Sequence, residues 1–338
     1  MVKIGWMAEW LCSGLQSRLR RFDSGFSLHV IIFYKMQDKI KKLTKAIIPV
    51  AGLGTRMLPA TKAIPKELLP IYDRPIIEHV VKEAITAGIT EIIFITRSGK
   101  EAIENHFDMN YELEHRLNKK GNQITLDSVK NIIPKGIKIS SIRQHNALGL
   151  GHAILCAKHL IHNEPFAVIL PDVMVIEDIP KLKNFSFSSM KKFWDETGVG
   201  QIMVQSIEHK DTESYGIVDT NGEYPKPFSS IGVKKLVEKP SPVNSPSNLA
   251  VLGRYILPAD IMDILENTVE GVGGEIQLTD ALDKFLNYGE LNAFLSTAKI
   301  FDCGNKKGFI GANLMFGMRD PEISDYLKDL FDTFNENI

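Results

Sequence analysis

Short apolar runs punctuate this chain, and between them apolar residues recur every three or four positions. Residues 46–50 (AIIPV), 91–96 (EIIFIT) and 166–170 (FAVIL) are runs of the first kind and predict buried strands. Pro49 weakens the pattern near the end of the first strand, since proline cannot donate to a ladder. Residues 74–88 instead put Ile76, Ile77, Val80, Val81, Ala84 and Ile85 on one face, with Gly88 as a stop, and predict a helix. Strand, helix and strand in that order predict a parallel βαβ unit and an α/β fold. Further strands are expected at 137–143, 201–205, 215–219, 231–237 and 248–257, with 166–170 central. Residues 110–136 are charged and irregular and read as an insertion packed on the outside. Residues 321–336 predict an amphipathic helix that caps the fold or a subunit interface.

Chemistry enters at the end of the first strand. Ala51-Gly52-Leu53-Gly54-Thr55-Arg56 is a glycine turn, where successive backbone N–H groups form a nest that attracts phosphate. It is not the dinucleotide fingerprint, because Met57 stands where a third glycine would be, and no G-K-[ST] follows to make a P-loop. Prolines at 59, 65 and 70 exclude a regular helix in the next stretch. What remains is a stiff loop carrying Arg56, Lys62 and Lys66 beside the nest, an arrangement suited to a polyphosphate. Gln144 follows the strand at 137–143 and offers both a donor and an acceptor to a nucleobase edge, with a second glycine turn at Gly149. Asp172 follows the central strand, at the carboxyl end where open α/β sheets bind ligands, and suits a hard cation such as Mg²⁺. Glu238-Lys239-Pro240 pairs a carboxylate able to accept two vicinal hydroxyls with an ammonium able to meet a phosphate.

The run V-A-G-L-G-T-R-M-L-P-A-T-K-A-I-P-K-E-L-L-P over residues 50–70 resembles the signature of the sugar-1-phosphate nucleotidyltransferases. Thr61-Lys62 before Pro65-Lys66-Glu67 resembles the bacterial UTP–glucose-1-phosphate uridylyltransferase family in particular. The resemblance runs from about residue 45 to 320. It implies a single Rossmann-like domain with a mixed, mostly parallel central sheet flanked by helices, and a smaller sugar-side β subregion. It implies that Ala51, Gly52, Gly54, Glu67, Gln144 and Gly149 hold the nucleotide. Arg56 and Lys66 would grip its phosphates, with Asp172 as their catalytic companion. Gly216 and Glu238 would hold the hexose, Lys239 its phosphate, and Asp302 would join Asp172 on Mg²⁺. The stretch G-G-E-I-Q-L-T-D-A at 273–281 resembles a family motif and reads mostly as packing and helix capping. His152 reads as structural and Cys303 as a packed thiol.

Composition narrows the alternatives. Of 338 residues, 44% are apolar and 24% charged, with 40 Lys+Arg against 41 Asp+Glu, which fits an ordinary globular protein. A net charge of -1 gives no pull toward nucleic acid or an anionic membrane. Three cysteines exclude a disulfide framework and a cysteine-rich zinc site, and point to a reducing, cytoplasmic setting. Residues 1–35 hold Trp6, Trp10, Arg18, Arg20 and Arg21 without the order of a secretory signal, and Glu9 and Asp23 interrupt a transit-peptide pattern. Residues 1–44 are therefore expected to be a poorly ordered extension, 45–320 the catalytic domain and 321–338 a C-terminal helix. The expected reaction converts UTP and glucose 1-phosphate into UDP-glucose and pyrophosphate, in a homo-oligomer (dimer or tetramer). The competing expectations are a relative using another nucleotide or sugar 1-phosphate, and a non-catalytic paralogue that binds nucleotide sugar.

Overall fold

A computed structural model describes residues 40–177 and 186–336; most of the expected N-terminal extension, 1–39, lies outside them. The first half contributes strands β1 Lys45–Pro49, β2 Pro70–Ile71, β3 Arg74–Pro75, β4 Glu91–Thr96, β5 Lys138–Arg143, β6 Phe166–Ile169 and β7 Val173–Ile176. The second half contributes β8 Gly200–Ser206, β9 Gly216–Asp219, β10 Ser230–Gly232, β11 Lys235–Glu238, β12 Leu249–Leu257, β13 Leu291–Leu295 and β14 Lys299–Asp302.

Ten of these form one mixed sheet, with the path β10-β13-β8-β12-β6-β1-β4-β5 and β9 and β11 branching from β12. The strands β6, β1, β4 and β5 run parallel. Ile47, Ile48, Ile92, Phe94 and Ile95 are wholly buried, because the sheet is covered on both faces. Each such side chain contributes about 1.5–3 kcal/mol relative to exposure. Helix Ile76–Thr86 supplies part of that cover, burying Ile76, Ile77, Val80, Val81 and Ala84 on the face the spacing predicts. At the polar edge, β5 (KISSIR) has four exposed residues and two half-buried isoleucines, and its end lysine and arginine discourage pairing with another chain. β1 has β4 on one side and β6 on the other, so the strand order reverses there, and such a switch point opens a crevice at the carboxyl ends.

Outside the large sheet, β7 and β14 form an antiparallel ribbon that sets Val173 opposite Asp302. Helices Lys306–Gly317 and Pro321–Glu336 close the described chain. No helix of the described residues is long and apolar enough to cross a membrane.

Two local expectations are corrected. Residues 231–237 are two strands, because the chain changes partners after Gly232: β10 pairs with β13 and β11 with β9. Residues 110–136 are largely helical, as Tyr111–Lys119 and Gln123–Lys130, though they do lie outside. Asn110 and Asn122 start these helices by accepting from Leu113 N at 3.1 Å and Thr125 N at 3.2 Å. High charge obscured these two caps in the sequence.

Candidate active site

The chain leaves β1, β4, β5 and β6 at one edge of the sheet, and the residues that follow line a cavity of about 430 Å³. After β1, Gly54 adopts φ 70°, and a Cβ there would lie 3.2 Å from Lys66 Cβ. Thr61 Oγ1 donates to Gly54 O at 2.8 Å, tying the loop back onto the turn. The loop itself winds through three single 3₁₀ turns, Thr55–Met57, Ala60–Lys62 and Lys66–Leu68, as its prolines require. Ala51, Gly52, Gly54, Lys66, Glu67, Gln144 and Gly149 all line this cavity. Gln144 Nε2 donates to Gly149 O at 3.2 Å and sits 3.0 Å from His152 Nδ1, so the histidine braces the glutamine. Gly149 has φ +91°, and its Cβ would meet Glu275 Cβ at 2.7 Å. Only glycine fits there.

Glu67 is fully buried. Its Oε2 accepts from Lys100 Nζ at 2.7 Å, while Oε1 accepts no hydrogen bond from any described residue. Burial raises its pKa despite the opposing Lys100 and Lys66 charges. Lys100, a partner missed in the sequence reading, comes from the turn after β4.

A second cavity, about 580 Å³, shares Leu150, Leu170 and Asp172 with the first. Arg56, Gly216, Glu238, Lys239 and Asp302 line it. Glu238 Oε2 accepts from Thr279 Oγ1 at 2.7 Å, and Oε1 lies 3.5 Å from Lys239 Nζ. Lys239 has φ +45°, a conformation that costs a non-glycine residue energy, and its N–H donates to Tyr215 O at 3.0 Å. Thr279 shows that the stretch 273–281 does more than pack and cap: no side chain caps helix Leu278–Phe285, and the hydroxyl orients Glu238. Tyr215 and Tyr255 also line this cavity and carried no signal in the sequence.

At the junction of the cavities, the β7–β14 ribbon brings Asp172 and Asp302 together, helped by Cys303 N donating to Asp172 O at 2.7 Å. Lys66 Nζ donates to Asp172 Oδ2 at 2.6 Å. Arg56 Nη1 donates to Asp302 Oδ2 at 2.9 Å, and its Nη2 lies 3.7 Å from Asp172 Oδ2. A Cβ on Gly304 would sit 2.9 Å from Asp172 Oδ2 and 2.9 Å from Asp302 Oδ1, so both carboxylates face one point. Burial, then the two carboxylates, push the Cys303 thiol up to about 12, which keeps it a neutral packing group.

For Asp172, burial is the largest single influence and disfavours the charge. Lys66, its hydrogen bond, backbone donation and Arg56 together outweigh it, and the carboxyl pKa is lowered. A depressed carboxyl contributes stability that is present above the unfolded value and lost as pH falls through the folded one. Acidification below about pH 4 is therefore expected to lower the melting temperature. The Asp172→Asn protein should lose less over that window, and parallel curves for the two would refute the assignment.

Comparison with known proteins converges on one group. The nucleotidyl transferase family profile matches residues 45–317. UTP–glucose-1-phosphate uridylyltransferase of Haemophilus influenzae is 47% identical over 293 residues, covering 86% of this chain and 99% of the relative. The enzyme of the same name from Escherichia coli K12 is 49% identical over 287 residues, covering 85% and 94%. Among solved structures, UTP-bound UGPase from Acinetobacter baumannii superposes with a TM-score of 0.79 at 43% identity, covering 86% of this chain and 98% of that one. A UDP-glucose pyrophosphorylase complexed with UDP-glucose gives 0.72 at 37% identity, covering 82% and 100%. The chain thus belongs to the nucleotidyl transferase family, among its UTP–glucose-1-phosphate uridylyltransferases.

Proposed function

We propose that the protein joins UTP and glucose 1-phosphate into UDP-glucose with release of pyrophosphate. The observation that carries this reading is Asp172, which lies on the wall common to both cavities and is held by Lys66. One cavity receives the nucleotide and the other the sugar phosphate, so the reacting atoms meet beside that carboxylate. Gln144 and the Gly149 turn read the uracil edge. Glu67, ion-paired with Lys100, forms part of the wall on the nucleotide side. The Gly52–Gly54 backbone, Arg56 and Lys66 hold the triphosphate. Glu238, oriented by Thr279, takes vicinal sugar hydroxyls next to Gly216, and Lys239 pairs with the sugar phosphate.

A phosphate oxygen of glucose 1-phosphate attacks the α-phosphorus of UTP. The bond to the β-phosphate bridging oxygen breaks, and pyrophosphate leaves with the electron pair. The nucleophile is already an anion at neutral pH, so no general base is needed. The chain's work is to align two mutually repelling anions and to stabilise charge on the departing group. Asp172 and Asp302 fit Mg²⁺: hard oxygen donors facing one point, few enough to leave its other positions to water and phosphate. Bound there, Mg²⁺ supplies charge neutralisation on the phosphates. A cytoplasmic location and self-association belong to the same reading; Ile310, Phe331 and Phe334 stay exposed on the last two helices, in support of an interface.

The test is mass detection of UDP-glucose from UTP and glucose 1-phosphate with Mg²⁺ and with EDTA in its place. Product is expected only with the metal, and a panel of dTTP, CTP, ATP and other sugar 1-phosphates should give markedly lower kcat/KM. Equal rates with dTTP, or undiminished product in EDTA, would overturn the uridylyl or the metal assignment respectively.

A further inference from the structure

A buried cation that lines neither cavity lies directly behind Asp172. Arg254 is 0% exposed. Its Nε and Nη2 donate to the two oxygens of Glu83, on helix Ile76–Thr86, at 3.0 and 2.9 Å. Nη1 also donates to Leu170 O at 3.0 Å, and Nη2 to Val173 O at 2.7 Å. Those carbonyls flank Pro171 and Asp172 on either side.

The backbone explains why a donor is needed. Leu170 N still pairs with Gly253 O, but Pro171 has no N–H, and the β6–β12 ladder ends there. Two half-buried carbonyls beside the proposed metal-holding carboxylate take these donations. Arg254 reaches them because β12 is irregular: its register with β8 shifts between Val251 and Tyr255. Gly253, inside that irregularity, has φ +66°, and a Cβ on it would meet Leu170 Cδ1 at 2.6 Å. Bulges of this kind re-aim a side chain beside a site. A hydrocarbon of similar volume would avoid the desolvation cost of a buried charge, but it could not hold both carbonyls.

We propose that Arg254, braced by Glu83, is a positioning residue that fixes the Leu170–Val173 segment and so holds the Asp172 carboxylate where the two cavities meet. This rests on the role given to Asp172 above. Arg254 touches neither substrate and acts through the backbone on both sides of the aspartate.

Two variants test it. Arg254→Lys keeps the charge but replaces a planar fork with a point donor that cannot serve Glu83 and both carbonyls together. Arg254→Met combined with Glu83→Met removes the clamp without leaving an uncompensated buried charge, so it stays folded if the lysine variant does not. For both, kcat should fall about 10- to 100-fold, the cost of a small misplacement. KM for UTP and for glucose 1-phosphate should stay within about 3-fold, as expected when only transition-state alignment is lost. Hydrogen exchange should accelerate at the Cys303 amide, which donates to Asp172 O, and stay unchanged at the Val50 amide, bonded to Ile95 O. A folded variant with wild-type kcat and wild-type Cys303 exchange overturns the proposal. So does a lower melting temperature with kcat and Cys303 exchange unmoved, since that assigns Arg254 to stability alone. Asp172→Asn is measured alongside: normal turnover there sinks the reading of the site itself, whereas an inactive Asp172→Asn beside fully active Arg254 variants sinks only the positioning role.

Discussion

Gly304→Ala is expected to lower kcat about 100-fold, the scale for displacing reacting groups by a fraction of an ångström to one ångström. The added methyl carbon would lie 2.5 Å from Arg56 Nη2 and 2.9 Å from one oxygen each of Asp172 and Asp302. All three clashing atoms are ends of side chains, so the fold can absorb the change by moving them. Moving them is what disables the site, because these are the groups meant to gather around the phosphates. Gly304 does not occupy the left-handed region, so alanine adds no backbone strain. The melting temperature should therefore change little while the Mg²⁺ concentration for half-maximal rate rises sharply. Steady-state kinetics across a magnesium titration, with a thermal melt of the same sample, make the check. Unaltered kinetics would mean that the two carboxylates do not act at a shared point.

Lys66→Ala is expected to cost still more, about 10²–10³ in kcat, as for loss of one preorganised electrostatic contact in a sheltered site. Lys66 is only 15% exposed on its side chain and is in contact with Asp172 at 2.6 Å. It is also the strongest of the influences that hold the Asp172 carboxyl low; without it, burial dominates and that pKa rises. The acid limb of the pH–rate profile should then move to higher pH as well as to lower amplitude. Lys66→Arg should recover little, because a rigid planar fork does not replace a compact ammonium under the Gly52–Gly54 turn. A profile of unchanged shape in Lys66→Ala would separate the lysine from Asp172.

Much of this was legible along the chain. The apolar runs at 46–50, 91–96 and 166–170 became central strands because a doubly covered sheet needs side chains apolar on both faces, and composition records that directly. The glycine turn and proline loop were readable because the residues that build them are consecutive, and their geometry is a local property of glycine and proline. What was hidden depends on contacts between distant segments. Thr279 reads as an ordinary helix-start residue until Glu238 is seen 2.7 Å from its hydroxyl. Arg254 reads as an odd polar residue in an apolar strand until the bulge turns it toward Leu170 and Val173. After Gly232 the chain changes partner, from β13 to β9, and which distant strand takes each half is not written in residues 231–237.

The ribbon of β7 and β14 has a consequence for how activity comes into being. Strand pairing has a period of two, so slipping β14 by one residue against β7 would turn Asp302 to the opposite face while Asp172 stayed in place. On the proposed reading the two carboxylates act together, and one of them arrives with the last strand among the described residues. The nucleotide-side cavity in turn waits for Glu275, which packs against Gly149, so neither cavity is complete until most of the chain is in place.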